Sequence, residues 1–168
     1  MIDYDTGGSY EEALALVGVA RRELVAEVAV EQGQVEAFCS QIEDARAAYW
    51  DHDLSDAPGG LLMAVFQRLP WRPGGAKREV AFGATIPLPM RTLVNVSTET
   101  TFFRQLRVGD RLTAVEELVA VSELKQSRLG KGHFVTTRSI YVDQDGDEVA
   151  ENVNVLFRFS PDEPGSGS

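Results

Sequence analysis

The chain has 168 residues, 43% of them hydrophobic, and a formal net charge of −10. A chain of this length is about one domain, whose core buries roughly two-thirds of the surface of the unfolded chain, so no disulfide framework is needed. The negative charge argues against a broad nucleic-acid surface, and no apolar run approaches the roughly 20 residues of a membrane span. Residues 1–5 also lack the basic segment of a secretory signal. We therefore expect a cytoplasmic protein that binds neither nucleic acid nor membranes.

The first third of the chain is predicted to be rich in helix. Residues 1–9 are polar and rich in glycine, so we expect a flexible N-terminus. A short helix is predicted over residues 10–17, and alternating apolar residues predict a strand over about residues 22–30. An amphipathic helix of about three turns follows, because apolar residues recur at i, i+3, i+4 and i+7. They are Val35, Phe38, Cys39 and Ile42.

The middle of the chain combines a loop, an apolar helix and a proline-rich segment. Residues 47–60 show no periodicity, which predicts a loop. Apolar residues at helical spacing then predict a buried helix over about residues 61–69, ended by Pro70. Residues 70–92 are rich in proline, so we expect an ordered but irregular segment with at most a short strand near residues 80–82.

The last part of the chain is predicted to consist of antiparallel strands. They lie at about residues 95–106, 111–124, 132–143 and 148–159. Asp145-Gly146 is the dipeptide expected of a two-residue hairpin between the last two strands. In the last strand, Asn152, Asn154 and Arg158 are predicted to face the opposite way from the apolar residues. Those residues are Val149, Val153, Val155, Phe157 and Phe159. Residues 160–168 are predicted to form a disordered tail.

The predicted elements follow one another as strand, helix, loop, buried helix and long strands. This is the order of a hot-dog fold, in which an antiparallel sheet wraps a central helix. Four stretches resemble MaoC-type acyl dehydratases, above all their N-terminal, non-catalytic hot-dog units. They are residues 93–102 (LVNVSTETTF), 107–112 (RVGDRL), 132–137 (GHFVTT) and 145–150 (DGDEVA). The resemblance covers about residues 15–159. It implies an α+β protein with a single hot-dog domain over residues 10–159 and a sheet of about five to six strands.

The resembled family acts on acyl groups carried as thioesters of coenzyme A or of a carrier protein, and usually adds water reversibly to trans-2-enoyl thioesters. Coenzyme A enters as part of the substrate, and no other cofactor is implied. A carboxylate and an imidazole activate the water, and they come from the motif Asp-x-Asn-Pro-x-His. Here Asp44 matches the carboxylate, but Arg46 stands at the Asn, Ala47 at the Pro and Tyr49 at the His.

The base of that motif is therefore missing from this chain. A tyrosine hydroxyl such as that of Tyr49 loses its proton only near pH 10 and is a poor base at neutral pH. Arg46 is expected to pair with Asp44. We interpret Asp44 as a structural carboxylate, with a catalytic role as the alternative.

Neither of the two histidines is a simple replacement for the missing base. His52 lies in an acidic loop, where a solvated or capping role is expected. Its neighbours Asp51, Asp53 and Asp56 suggest a metal only weakly, and we predict no metal site. His133 opens a strand and is predicted to lie at the sheet edge or at a subunit interface.

The resemblance also implies residues for substrate binding. Gly59 and Gly60, at the start of the buried helix, would either present an N–H group to the thioester carbonyl or only permit a tight helix entry. Trp71 and Met90 would either shape the acyl pocket or pack as ordinary core.

Three basic residues are predicted to bind the phosphates of coenzyme A. They are Lys125, Arg128 and Lys131. They lie in a connection between strands, beside Gly130 and Gly132, which would let the backbone approach a phosphate. The alternatives are a solvated loop here and a phosphate site either on a partner chain or at Arg104 and Arg107.

These residues lead to three functional hypotheses. The first is a non-catalytic hot-dog subunit of a heteromeric enoyl-CoA hydratase. This subunit would shape the pocket for a bulky, steroid-type acyl group, and a catalytic MaoC-like partner would carry the Asp and the His. The second is a homodimeric hydratase or acyl-CoA thioesterase that uses Asp44 or Glu43 as the base. The third is a module that binds acyl-CoA or a protein without catalysis. The first two imply a dimer or a higher assembly.

Overall fold

A computed structural model describes residues 7–66 and 80–161, which form an α+β fold as predicted. The helices are α1 (Tyr10–Ala15), α2 (Gln32–Ile42), α3 (Ala47–Trp50) and α4 (Leu62–Val65), with 3-10 turns at Gly59–Leu61 and Phe82–Ala84. The strands are β1 (Arg21–Val25), β2 (Asp56–Ala57), β3 (Thr92–Phe102), β4 (Leu106–Arg107), β5 (Thr113–Val121), β6 (Lys125–Ser127), β7 (Gly130–Val142) and β8 (Glu148–Ser160).

One antiparallel sheet of six strands dominates the described part of the chain. Five strands follow the order β1-β5-β7-β8-β3, and β6 forms a hairpin with the start of β7. The strands β7 and β8, of 13 residues each, lie inside the sheet. β2 and β4 form a separate two-stranded ladder. The sheet size agrees with the predicted five to six strands.

The core consists of two clusters on the sheet face that the helices cover. The first joins residues of α2 and α4, such as Val35 and Leu62, to Ala114, Tyr141 and Ala150 on the sheet. The second lies under α1 and the 3-10 turn at Phe82–Ala84. Its buried members are Ala13, Phe82, Ile86, Leu88, Leu118, Val121 and Val135. Burial of these side chains is what holds the helices to the sheet.

The N-terminal residues that the structure describes make defined contacts. The Ser9 side chain accepts a hydrogen bond from the Glu12 N–H, and the Glu12 side chain accepts one from the Ser9 N–H, so α1 begins with a capping box. A Cβ atom on Gly8 would lie 2.3 Å from Pro87, so Gly8 is also packed. Residues 1–6, and residues 162–168 of the predicted tail, lie outside the described part.

Several predicted boundaries were wrong. β1 ends at Val25, because the next residues bond to the loop before β5 rather than to a strand: Ala26 donates to the Leu112 carbonyl and Val30 to that of Asp110. The predicted loop at 47–60 contains α3 and β2. Residues 80–82 form no strand, which agrees with the prediction of at most a short one, and a 3-10 turn begins at Phe82.

The predicted buried helix is present in its first part. It begins with the 3-10 turn at Gly59–Leu61 and continues as α4, with Leu61, Leu62 and Val65 buried. Phe66 is its C-cap residue. Residues 67–69 lie outside the described part.

Arg158 lies on the same face of β8 as Asn152 and Asn154, as predicted, and is fully buried there. Its side chain is 0% exposed, and its guanidinium donates to the carbonyl oxygens of Ala84, Ile86, Leu88 and Met90. A planar group with five donors can bind several carbonyls at once, whereas a polar side chain without such partners would not be buried. Arg158 therefore fastens the irregular segment before β3 to the sheet.

The prediction of His133 at a sheet edge was also wrong. β7 pairs with β5 and β8, and His133 lies opposite Arg158 in this ladder. The ring is buried, stacks on Tyr10 with centroids 5.1 Å apart, and its Nδ1 lies 2.8 Å from the Ser122 carbonyl oxygen. His133 thus helps to seat α1 on the sheet.

Candidate active site

The position of Asp44 is set by the end of α2. Glu43 adopts the left-handed conformation with φ of 55°, and the Asp44 N–H donates to the Cys39 carbonyl oxygen at 3.0 Å. This is a common way to end a helix, because it satisfies a carbonyl that the helix leaves unpaired. The chain then turns through Asp44–Arg46 into α3. Cys39 is buried, and this burial raises the pKa of its thiol, as expected of a small core residue.

Both carboxylate oxygens of Asp44 bind Arg46. The Arg46 N–H donates to Oδ1 at 3.1 Å, and the guanidinium lies 3.2 Å from Oδ2. The side chain of Asp44 is 14% exposed and that of Arg46 is 70% exposed, so water weakens their attraction. The arrangement holds the Asp44 carboxylate in place and occupies both of its oxygens.

Tyr49, at the position of the family histidine, is part of the first core cluster. It is 5% exposed, and its hydroxyl accepts hydrogen bonds from Arg46 at 3.0 Å and from Gln105 at 3.4 Å. The guanidinium carbon of Arg46 also lies 5.2 Å from the ring centroid. Arg46 therefore links Asp44 to Tyr49, and no imidazole takes part in this linkage.

An open pocket of about 470 Å³ adjoins Asp44. Its lining residues are Cys39, Ser40, Glu43, Asp44, Ala45, Ala47 and Trp50. The Trp50 ring is 42% exposed, and its Nε1–H donates to the Asp44 carbonyl oxygen at 2.7 Å. One wall of the pocket is therefore the Trp50 ring, which this hydrogen bond ties to the Asp44 backbone.

Gly59 and Gly60 both lie against aromatic rings. A Cβ atom on Gly59 would come within 2.8 Å of the Phe102 ring, and one on Gly60 within 2.7 Å of the Phe38 ring. A Cβ atom at either position would have to displace an aromatic ring, so this packing favours glycine at both. The first N–H groups of a helix lack partners within the helix, so a role in binding a thioester carbonyl stays a prediction.

The other histidine, His52, contacts α2. Its Nε2 lies 2.6 Å from Glu36 Oε1, and hydrogen bonds from Gln32 and then from His52 lower the pKa of the Glu36 carboxyl. Neither His52 nor His133 bonds to Asp44 within residues 7–66 and 80–161. In the same ranges, no group of three or more His, Cys, Asp and Glu side chains could hold a metal ion.

The structure describes only one of the two residues predicted to shape the acyl pocket. Met90 is partly buried and packs against the second core cluster, near the carbonyl that Arg158 binds. Trp71 lies outside the described residues. Their contribution to an acyl pocket stays a prediction.

The predicted phosphate-binding residues lie on the β6–β7 hairpin. Lys125, Arg128 and Lys131 are exposed there. The two adjacent glycines do not offer open space, however. A Cβ atom on Gly130 would lie 2.1 Å from the Ser160 carbonyl oxygen, and one on Gly132 would lie 2.1 Å from that of Arg158. The glycines therefore allow β8 to pass closely, and a phosphate would have to bind the side chains alone.

The alternative phosphate site at Arg104 and Arg107 is partly occupied. Arg104 donates to both oxygens of Asp110, at 2.9 and 3.0 Å, and to Asp143 at 2.8 Å. The hydrogen bond with Asp110, followed by that with Asp143, raises the pKa of Arg104. Arg104 thus neutralises two carboxylates of the protein itself, while Arg107 is exposed.

Two residues near the site were missed by the sequence analysis. Gln105 donates to the Ala57 carbonyl oxygen at 2.6 Å as well as to Tyr49, so it joins β2 to the site. Burial raises the pKa of Tyr141, in the first core cluster, to about 12. No local pattern marks either residue, because their partners are distant in the sequence.

A family model described as "FAS1-like, dehydratase domain region" matches residues 15–152. A probable enoyl-CoA hydratase alpha subunit from Thermomonospora curvata is 37% identical over 70 residues. That match covers 42% of this chain and only 22% of the relative, so the chain matches a small part of that protein.

Solved structures share the fold. In the ChsH1-ChsH2 complex from Mycobacterium tuberculosis, the matched chain has a TM-score of 0.71 at 21% identity, with 92% of this chain and 93% of that chain covered. A MaoC-like dehydratase from Rhodospirillum rubrum has a TM-score of 0.57 at 20% identity, with 84% and 92% covered. These likenesses confirm the predicted hot-dog fold. Among the described residues, no helix is long and apolar enough to span a membrane.

Proposed function

The chain belongs to the FAS1-like dehydratase family, and from this premise we propose that it is the non-catalytic, pocket-shaping subunit of a heteromeric MaoC-type enoyl-CoA hydratase. One observation carries the proposal. Tyr49 stands where the family has its histidine, and Arg46 occupies both oxygens of Asp44. Hydration needs a base that can take a proton from water at neutral pH. A buried tyrosine and a paired carboxylate supply none, so a partner chain would carry the Asp and the His.

The long edge strand supports a partner subunit. β3 has 11 residues and pairs with β8 on one side, and its central residues 95–99 are exposed on both faces. Within the described part of the chain, its other edge pairs with no strand. Such an edge offers free N–H and C=O groups to another chain. The related protein is described as an alpha subunit, and the ChsH1-ChsH2 structure is a complex, which agrees with a hot-dog partner.

The acyl group in this proposal is bulky, such as a steroid-type chain carried on coenzyme A, as the resemblance to the non-catalytic hot-dog units implies.

The test compares the chain alone with the chain co-purified with the product of its neighbouring gene. Each sample is given crotonyl-CoA and a longer enoyl-CoA, and the loss of enoyl absorbance is followed, with native mass spectrometry for the assembly. We expect a mixed complex that hydrates and a lone chain that does not. Hydration by the lone chain at the rate of intact family members, abolished by Asp44→Asn, would overturn the proposal in favour of a homodimeric hydratase.

The Asp44 pocket keeps a second candidate open, a thioesterase. Glu43 and Asp44 both line it. Release of free thiol from a short and a long acyl-CoA, detected with a thiol reagent and lost in Glu43→Gln or Asp44→Asn, would establish this activity. Acyl-CoA binding with neither reaction, and with no active complex, would indicate a binding module.

A further inference from the structure

A row of polar side chains crosses the sheet face that the helices cover. The residues are paired in register: Arg22 on β1, Glu116 on β5, Ser139 on β7, Asn152 on β8 and Thr100 on β3. Paired residues of antiparallel strands point to the same face, so the five side chains form one line. We call this line the polar row.

The polar row separates the two core clusters. On one side of the row, at a distance of two residues along each strand, the first cluster begins. Its residues there are Ala114, Tyr141 and Ala150. On the other side of the row, two residues further along β5, lies Leu118. It pairs with Thr137 and belongs to the second cluster. An uninterrupted apolar face would give one larger core, so the row is not explained by packing alone.

The middle of the row is buried and keeps hydrogen-bonding capacity. Ser139 and Asn152 are each 6% exposed. Asn152 Nδ2 donates to Thr100 Oγ1 at 2.8 Å and to the Glu99 carbonyl oxygen at 3.2 Å, which uses the donors of the amide and leaves its Oδ1 as an acceptor. The Ser139 hydroxyl bonds to Tyr141, and a hydroxyl can make more than one such bond.

The two ends of the row differ. At one end Arg22 and Glu116 neutralise each other, with Nε and Oε2 2.6 Å apart. At the other end the row opens at the edge strand, where Thr100 is half-buried and Thr98, on the same face, is exposed. The row therefore carries no net charge, and its polar groups are least covered on β3.

We propose that the polar row binds a hydroxyl group on the acyl chain of the substrate, an inference that rests on the proposed function. A hydroxyl can donate to Asn152 Oδ1 and accept from Ser139, so it pairs with both groups. A plain hydrocarbon pairs with neither, and a ketone can only accept. The substrate class is then a bulky acyl-CoA with a hydroxylated ring.

The test uses saturated thioesters, so that no catalysis is needed. The probes are cyclohexanepropionyl-CoA and its 4-hydroxy and 4-oxo derivatives, titrated by calorimetry into the purified chain, together with any hot-dog subunit that co-purifies. We expect the hydroxy probe to bind about tenfold more tightly than the plain probe, as one satisfied buried hydrogen bond would give, and the oxo probe to fall between them.

Variants on opposite faces of one strand give the control. Ser139→Ala should remove most of the preference for the hydroxy probe, whereas Thr136→Val, on the outer face of β7, should keep it. Equal affinity of the wild-type protein for the hydroxy and plain probes would overturn this inference and leave the proposed function standing. Binding of none of the three probes would overturn both.

Discussion

Arg104 donates to the carboxylate of Asp143 at 2.8 Å and so connects the turn at residues 107–112 to the hairpin that contains Asp145-Gly146. The same guanidinium binds Asp110 of that turn. The Asp143 carboxylate in turn accepts the N–H groups of Asp145 and Asp147, at 2.9 and 3.0 Å. The two sequence features that most resemble the family are thus parts of one network.

This network should contribute to stability. The side chains of Asp110 and Asp143 are 6% and 8% exposed, so Arg104→Met would leave two buried carboxylates without their cation. We expect the free energy of unfolding to fall by about 3 kcal/mol, measured by urea denaturation at pH 7. Arg107→Met is the control, since that side chain is exposed, and it should change stability by less than about 0.5 kcal/mol. Equal effects of the two variants would contradict the assignment.

The same network predicts a pH dependence. Burial by itself would raise the pKa of Asp143, but hydrogen bonds from Arg104, Asp147 and Asp145 outweigh it and lower this pKa. A lowered folded-state pKa stabilises the protein above the unfolded-state pKa, and this stability is lost as pH falls through the folded-state pKa. Unfolding should therefore become easier below about pH 4. Asp143→Asn should show a shallower loss between pH 5 and pH 2; an unchanged slope would assign it to other carboxyls.

The buried face of α4 gives a second stability prediction. Leu62 is 1% exposed, whereas its neighbour Met63 is 44% exposed. Leu62→Asp should destabilise the fold by several kcal/mol, on the order of 4, because it places an unpaired charge in the first core cluster. Met63→Asp should lower the melting temperature by no more than a few degrees. Similar melting temperatures for the two variants would mean that α4 does not pack on the sheet.

A side chain at Gly60 should destabilise the fold while Phe38 is present. Gly60→Ala would place Cβ 2.7 Å from the Phe38 ring, and we expect a loss of about 1–3 kcal/mol from overpacking. Combining it with Phe38→Leu should give a double variant less destabilised than the sum of the two changes. Gly33→Ala in α2 meets nothing within 4 Å and should be neutral or stabilising by up to about 1 kcal/mol. Strict additivity would contradict the contact.

The phosphate prediction can be tested by charge reversal. If Lys125, Arg128 and Lys131 bind the nucleotide end of coenzyme A, the double variant Arg128→Glu, Lys131→Glu should weaken acyl-CoA binding to the assembled complex several-fold. The effect should shrink as salt rises, because ions screen exposed charges. Arg21→Glu combined with Arg111→Glu is the matched control, because both side chains are exposed and lie outside the two candidate phosphate sites. If calorimetry at low salt shows unchanged affinity, the basic residues of the β6–β7 hairpin are only solvated and do not bind the nucleotide.

The sequence by itself determined the features that depend on local patterns. Periodicity located α2 and the long strands, because side chains repeat at 3.6 residues in helices and at 2 in strands. Asp145-Gly146 marked the last hairpin, and the motif alignment identified Tyr49 in place of a histidine. These features require no knowledge of distant partners.

Only the tertiary structure decided the roles of residues whose partners are far along the chain. Arg158 is buried because carbonyls about 70 residues away surround it, and His133 is internal because β5 and β8 flank its strand. Gly130 and Gly132 accommodate β8, which local glycine patterns cannot reveal. The polar row exists only when five strands come into register. Burial and pairing depend on long-range contacts, and these are fixed when the sheet assembles.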